Sequence, residues 1–149
     1  MMTDELQALS PTIQRVVDWF GFWPSFHDAE VVSVVLDRAG ISRIVVHAFA
    51  GTSEVDEQGY YKTEKHALVS LLLHEVSNSE LLGFNAQNVL SDLSIQRVDA
   101  GVKVVLGGCF GLEGYVVARA VNFEVEAGIP ENSIYQKHSS AGVKPLRTV

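Results

Sequence analysis

The sequence predicts an α+β domain, an N-terminal helix packed on a mostly antiparallel sheet of about six or seven strands. Three observations predict it. A helical apolar period occurs once, near the start. The later apolar stretches alternate with period two or run as short Val- and Leu-rich blocks. The turn-forming gaps between them put the strands in hairpin order. A length of 149 residues suits one domain, and 47% hydrophobic against 19% charged residues excludes an extended disordered chain. Residues 1–136 read as that single domain. From 137 to 149, Ser139, Ser140, Gly142 and Pro145 interrupt any period, so a poorly ordered C-terminal tail is expected there.

The helix is expected from Pro11, with Ser10 as N-cap and Pro11 where its missing N–H costs nothing. Ile13, Val16, Val17 and Phe20 then share one face, and Gly21 ends the element. Ala29–Asp37 and Arg43–Phe49 read as a hairpin, apolar on both faces and therefore central and covered. Gly51–Gly59 reads as an acidic loop and Glu64–Val76 as the third strand. Ser77–Asn85 is expected to turn, and Gln87–Leu93 is open between helix and strand. Ser94–Val98 and Val102–Cys109 make another hairpin, with Gly107, Gly108 and Gly111 marking a bulge or close backbone approach. Tyr115–Val125 is the cleanest alternating strand.

Eleven Lys and Arg against eighteen Asp and Glu give a net charge of −7, which opposes nonspecific binding to nucleic acid or an anionic membrane and permits a basic partner. No apolar run approaches the ~20 residues that span a bilayer, and Met1–Glu5 is acidic where a signal peptide is basic. A single cysteine, Cys109, cannot form an internal disulfide, so the cytoplasm is the expected compartment and a buried inert thiol the expected state. No phosphate-loop or dinucleotide motif is present, and no cofactor or bound metal is expected.

Phe20–Glu30 is the densest stretch, five of its eleven residues being aromatic or imidazole. Trp23, Pro24, Phe26, His27 and Asp28 read first as a structural corner, with the two polar side chains bonding backbone groups left unpaired by the turn. A second reading makes His27 and Asp28, with Glu30, the centre of a metal-assisted hydrolase. On a strand His27 would face away from both carboxylates, so help from His47, His66 or His74 would be needed. A third makes part of the corner a recognition surface, and a small-ligand module using a pocket between helix and sheet is a further alternative. His66, Ser70 and His74 share parity at spacings of four, and four residues of strand span ~13 Å, too far for a shared metal. Tyr60 and Tyr61 stand in a polar loop beside Glu54, Asp56 and Glu57, where core packing explains them less well than it explains Trp23.

The run Gly21-Phe22-Trp23-Pro24-Ser25-Phe26-His27-Asp28-Ala29-Glu30-Val31 resembles the opening signature of a family of small bacterial proteins, immunity protein 50. Gln87-Asn88-Val89-Leu90 and Cys109-Phe110-Gly111-Leu112-Glu113-Gly114 are similar to the same kind of domain, so the likeness covers about residues 15–127. The resemblance implies a cytoplasmic protein that binds and neutralises a matching toxin domain, and it carries no catalytic residue. The expected partner surface is Trp23, Glu54, Asp56, Glu57, Tyr60 and Tyr61, its acidic residues complementing basic groups of the toxin; a homodimer through sheet edges is left open.

Overall fold

The computed structural model describes residues 2–137 and 145–146. Two eight-residue helices, α1 (Met2–Leu9) and α2 (Ile13–Phe20), precede six long strands. These are β1 (Glu30–Val35), β2 (Ser42–Val55), β3 (Tyr61–Leu82), β4 (Val89–Val98), β5 (Gly101–Phe110) and β6 (Glu113–Ala127). They close into an antiparallel barrel in the order β1-β2-β3-β6-β5-β4. The antiparallel sheet of six strands agrees with the sequence reading. The architecture is more sheet-rich than α+β, because the helices are two turns each. Simple hairpin order is also broken, since β3 pairs with β6 and β4 returns to β1. Among the described residues no helix is long and apolar enough to cross a membrane.

Period-two alternation builds the core. Ile44, Val46, Ala48 and Ala50 of β2 and Ala67, Val69, Leu71 and Leu73 of β3 are buried in one cluster with Leu90, Val104, Leu106, Val116 and Phe123. Ile13, Val16 and Phe20 of α2 join that cluster, as their spacing predicts. Arg15 also donates to the Phe123 carbonyl at 3.0 Å, and Trp19 Nε1 to the Lys65 carbonyl at 2.8 Å.

The helix start differs from expectation. Ser10 closes α1, its N–H bonding the Leu6 carbonyl, and Thr12 is the N-cap of α2. The Thr12 hydroxyl caps no helix N–H; it accepts the Phe123 N–H at 2.8 Å and so fastens the chain to β6.

Two strands overrun their expected limits. β2 continues through Val55 and β3 starts at Tyr61, so the acidic loop shrinks to a turn at its tip. Of the segment expected to turn, Asn78–Leu82 pairs with Glu113–Val117 instead. These arms are largely exposed, so they carry no apolar alternation. Gly107 and Gly108 do mark a close approach: a Cβ on Gly108 would lie 2.7 Å from that of Glu113 and 2.8 Å from the Leu112 carbonyl oxygen.

Cys109 is exposed, not buried. The β5–β6 pairing ends at Leu106–Gly114, so the last residues of β5 lack that neighbour. Of the tail expected at 137–149, residues 138–144 and 147–149 lie outside the described residues. Lys137 ends a 3-10 turn (Ile134–Lys137), and β8 (Pro145–Leu146) pairs in parallel with β7 (Ile129–Pro130).

Candidate functional site

The sheet brings together a polar cluster on the face opposite the core. His47 alternates with the inward Val46 and Ala48, so its ring points the other way. Its register partner on β1 is Glu30, which places the two side chains side by side. Its partner on β3 is Leu68, which puts His66, two residues along, diagonally adjacent. Between the pairs Ala48–Ala67 and Ala50–Glu64, β3 advances three residues against two on β2. This bulge holds Lys65 at φ 55° and brings Thr63 onto the face of His66.

These residues form one continuous chain. His47 Nδ1 lies 2.7 Å from Glu30 Oε1, His47 Nε2 lies 2.9 Å from His66 Nδ1, and His66 Nε2 lies 2.8 Å from Thr63 Oγ1. The Ser133 hydroxyl donates to the same Glu30 oxygen at 2.6 Å. One assignment satisfies every member: Glu30 accepts from His47 Nδ1–H, His47 Nε2 accepts from His66 Nδ1–H, and His66 Nε2 accepts from the Thr63 hydroxyl. His47 and His66 are 0% and 1% exposed. The two rings stack at 5.1 Å, with Phe49 against His66 at 5.3 Å and Tyr135 against Phe49 at 4.4 Å.

Burial, then the neighbouring His47, lower the His66 pKa from 6.5 to about 4, so the ring is neutral at pH 7. Burial, then the carboxylates of Asp28 and Glu30, raise Tyr135 from 10.0 to about 12. A phenol ionisation near pH 12 is therefore expected in the absorbance titration of the protein and absent from Tyr135→Phe. Because the folded state keeps this proton longer, Tyr135 contributes stability that is lost as pH rises from 10 toward 12.

Chemically, such a chain could polarise the Thr63 hydroxyl as a triad polarises its nucleophile. Burial argues against that use, since Thr63 is only 8% exposed. The arrangement ties three strands and the segment after β6 together.

The other residues singled out in the sequence lie elsewhere. Phe26 and Pro24 are buried, and Trp23 packs edge-on against Phe26 at 5.4 Å and Phe123 at 5.6 Å. The rest of Trp23 lines a cleft of about 740 Å³ with Leu6, Leu9, Leu93 and Ile95. The Asp28 N–H donates to the Leu90 carbonyl at 2.9 Å, and His27 Nδ1 lies 3.1 Å from the Ser91 carbonyl. Phe26 and Asp28 have φ of 61° and 65°, so 26–28 form a turn and not the strand assumed in weighing a metal site. That turn brings His27 within 3.7 Å of Asp28, while Glu30 turns to His47. Among the described residues no three His, Cys, Asp or Glu side chains are placed to hold one metal ion. His74 meets Asn122 at 3.0 Å, and Glu75 pairs with Arg119.

The β2–β3 tip carries the other candidates. Tyr60 and Tyr61 are 60% and 70% exposed, Val55 is exposed beside them, and Glu54 and Glu57 are exposed. Asp56 is half-buried and shapes the turn, its Oδ1 accepting the N–H groups of Gln58 and Tyr60. Sequence reading missed Thr63, Ser133 and Tyr135, and it saw Glu30, His47 and His66 only as helpers to His27.

These features define a small closed-barrel domain with its imidazole cluster sealed and aromatic and acidic side chains at its surface. The chain belongs to the immunity protein 50 family, whose model matches residues 13–126, from the first residue of α2 almost to the end of β6. No curated protein and no solved structure shows detectable similarity to it. Glu30, His47, Thr63 and His66 fall within the matched span, and Ser133 and Tyr135 fall beyond it.

Proposed function

We propose that the chain is a non-catalytic immunity protein of the cytoplasm that neutralises a matching bacterial toxin by covering it. The observation that carries the reading is the β2–β3 tip, where Tyr60 and Tyr61 stand exposed on the turn that also carries Glu54, Asp56 and Glu57. Exposed tyrosines supply large contact area at small entropy cost and are favoured at binding hot spots. The carboxylates suit a basic toxin surface and speed its encounter. Family membership supports a protein as the partner. Trp23 contributes only the part of its ring that lines the cleft.

The test is calorimetric titration with the toxin domain encoded by the neighbouring upstream reading frame. Tyr60→Ala together with Tyr61→Ala should weaken the complex by about 10- to 100-fold without changing the melting temperature. A complex unaffected by that pair would move the contact away from the tip. Failure to form any complex would reject the neutralising role for that toxin.

A further inference from the structure

We propose that the polar pocket beside Glu30 receives a basic side chain of the protein partner, which makes the β3–β4 loop a second contact surface. This rests on the reading that the chain binds a protein. The pocket has a volume of about 240 Å³, room for one long side chain, and is lined by Glu30, Phe84, Asn85, Gln87, Asn88 and Asn132 among others. Among the described residues its one charged lining residue is Glu30. His47 and Ser133 both approach Oε1 of that carboxylate, so its position is fixed before any partner arrives.

The rest of the lining suits a cation. The side-chain carbonyls of Gln87 and Asn132 can turn toward a cation, and Phe84, 58% exposed, offers a ring on which a guanidinium can stack. A phosphate or carboxylate would instead face Glu30.

The platform is ordered in advance. Asn88 is 2% exposed, and its Oδ1 accepts from the Asn85 N–H at 2.7 Å and the Leu112 N–H at 3.2 Å. Its Nδ2 donates to the Val31 carbonyl at 3.2 Å, so one side chain ties three segments. Asn85 Oδ1 accepts the N–H groups of Gln87 and Asn88, both at 2.8 Å. A loop already fixed loses little entropy on binding.

The probe is N-acetyl-arginine amide, with N-acetyl-citrulline amide as its uncharged analogue, titrated into ¹⁵N-labelled protein. Saturable shifts confined to residues 30–32 and 84–88 are expected for arginine and not for citrulline. Gln87→Lys, which places an ammonium in the pocket while sparing the Asn85 and Asn88 bonds, should abolish them. An equal citrulline response, shifts mapping elsewhere or no saturable shift would overturn the site.

With the toxin domain, Gln87→Lys and Phe84→Ala should each weaken binding by about tenfold. Unchanged affinity in both, with loss in the Tyr60/Tyr61 variant, would overturn this inference and leave the proposed function standing. Arginine-specific shifts without any toxin complex would overturn the protein partner and leave a cation site.

Discussion

Replacing His47 with leucine is expected to cost about 1–3 kcal/mol of unfolding free energy, the range for leaving buried hydrogen-bonding groups unmet. His47 is fully buried and bonds in both directions, to Glu30 at 2.7 Å and to His66 at 2.9 Å. Its removal leaves Glu30 with Ser133 alone and leaves His66 Nδ1 without a partner in an apolar wall of Phe49 and Tyr135. Leucine has a comparable volume, so the expected loss comes from unmet hydrogen bonds more than from a cavity. A companion variant, Glu30→Leu with His47→Leu, should lose less than the sum of the two single changes, because it removes the orphaned carboxylate as well. Urea unfolding of all four proteins at neutral pH measures this. A loss below about 1 kcal/mol in His47→Leu, the net worth of one ordinary hydrogen bond, would show that the chain of bonds does not hold the strands.

The same cluster shows which parts of the structure were legible in the sequence. The apolar stripe of Ile13, Val16 and Phe20 and the alternation from Tyr115 to Val125 were legible because each element reports its own buried face through its period. The hairpin of Ser94–Val98 and Val102–Cys109 was legible because both strands alternate and only a short turn joins them. The outer arms of the β2–β3 hairpin and of Ser77–Leu82 were not, because an arm wetted on both faces has no period. Barrel closure was not legible either, since pairing Glu30 with both His47 and Val89 is a nonlocal choice. The histidine chain needed two more facts that no period carries. One is the register that sets His47 opposite Glu30; the other is the extra residue at Lys65 that turns Thr63 toward His66. Composition had flagged the aromatic corner around Trp23 instead. Its Phe20, Trp23 and Phe26 rings do pack against the core, while Phe22 and the one imidazole stay at the surface.

Acid should therefore act on this protein through His66, which sequence reading weighed only as help for a metal site. The unfolded chain takes up a proton on His66 near pH 6.5, whereas the folded chain resists until about 4, chiefly because the ring is buried and then because His47 lies beside it. Between those values the unfolded state binds more protons, so stability is full above pH 6.5 and declines as pH falls toward 4. At ~1.36 kcal/mol per pH unit per proton, the whole window is worth roughly 3 kcal/mol. The surroundings give an incoming charge little relief. Glu30 is the one carboxylate in the chain of bonds, and its Oε1 already meets His47 and Ser133; Thr63 can only exchange hydrogen-bond roles, and Phe49 and Tyr135 close the sides. His66→Gln keeps an amide near Thr63 but cannot titrate. It should be less stable at neutral pH by about 1–3 kcal/mol, the cost of imperfectly met bonds. Its stability should nevertheless fall less steeply across the window, by close to one proton's slope. Urea midpoints and m-values collected from pH 7 to pH 4 separate these two effects. Parallel curves for the two proteins would mean that His66 does not set the acid limb.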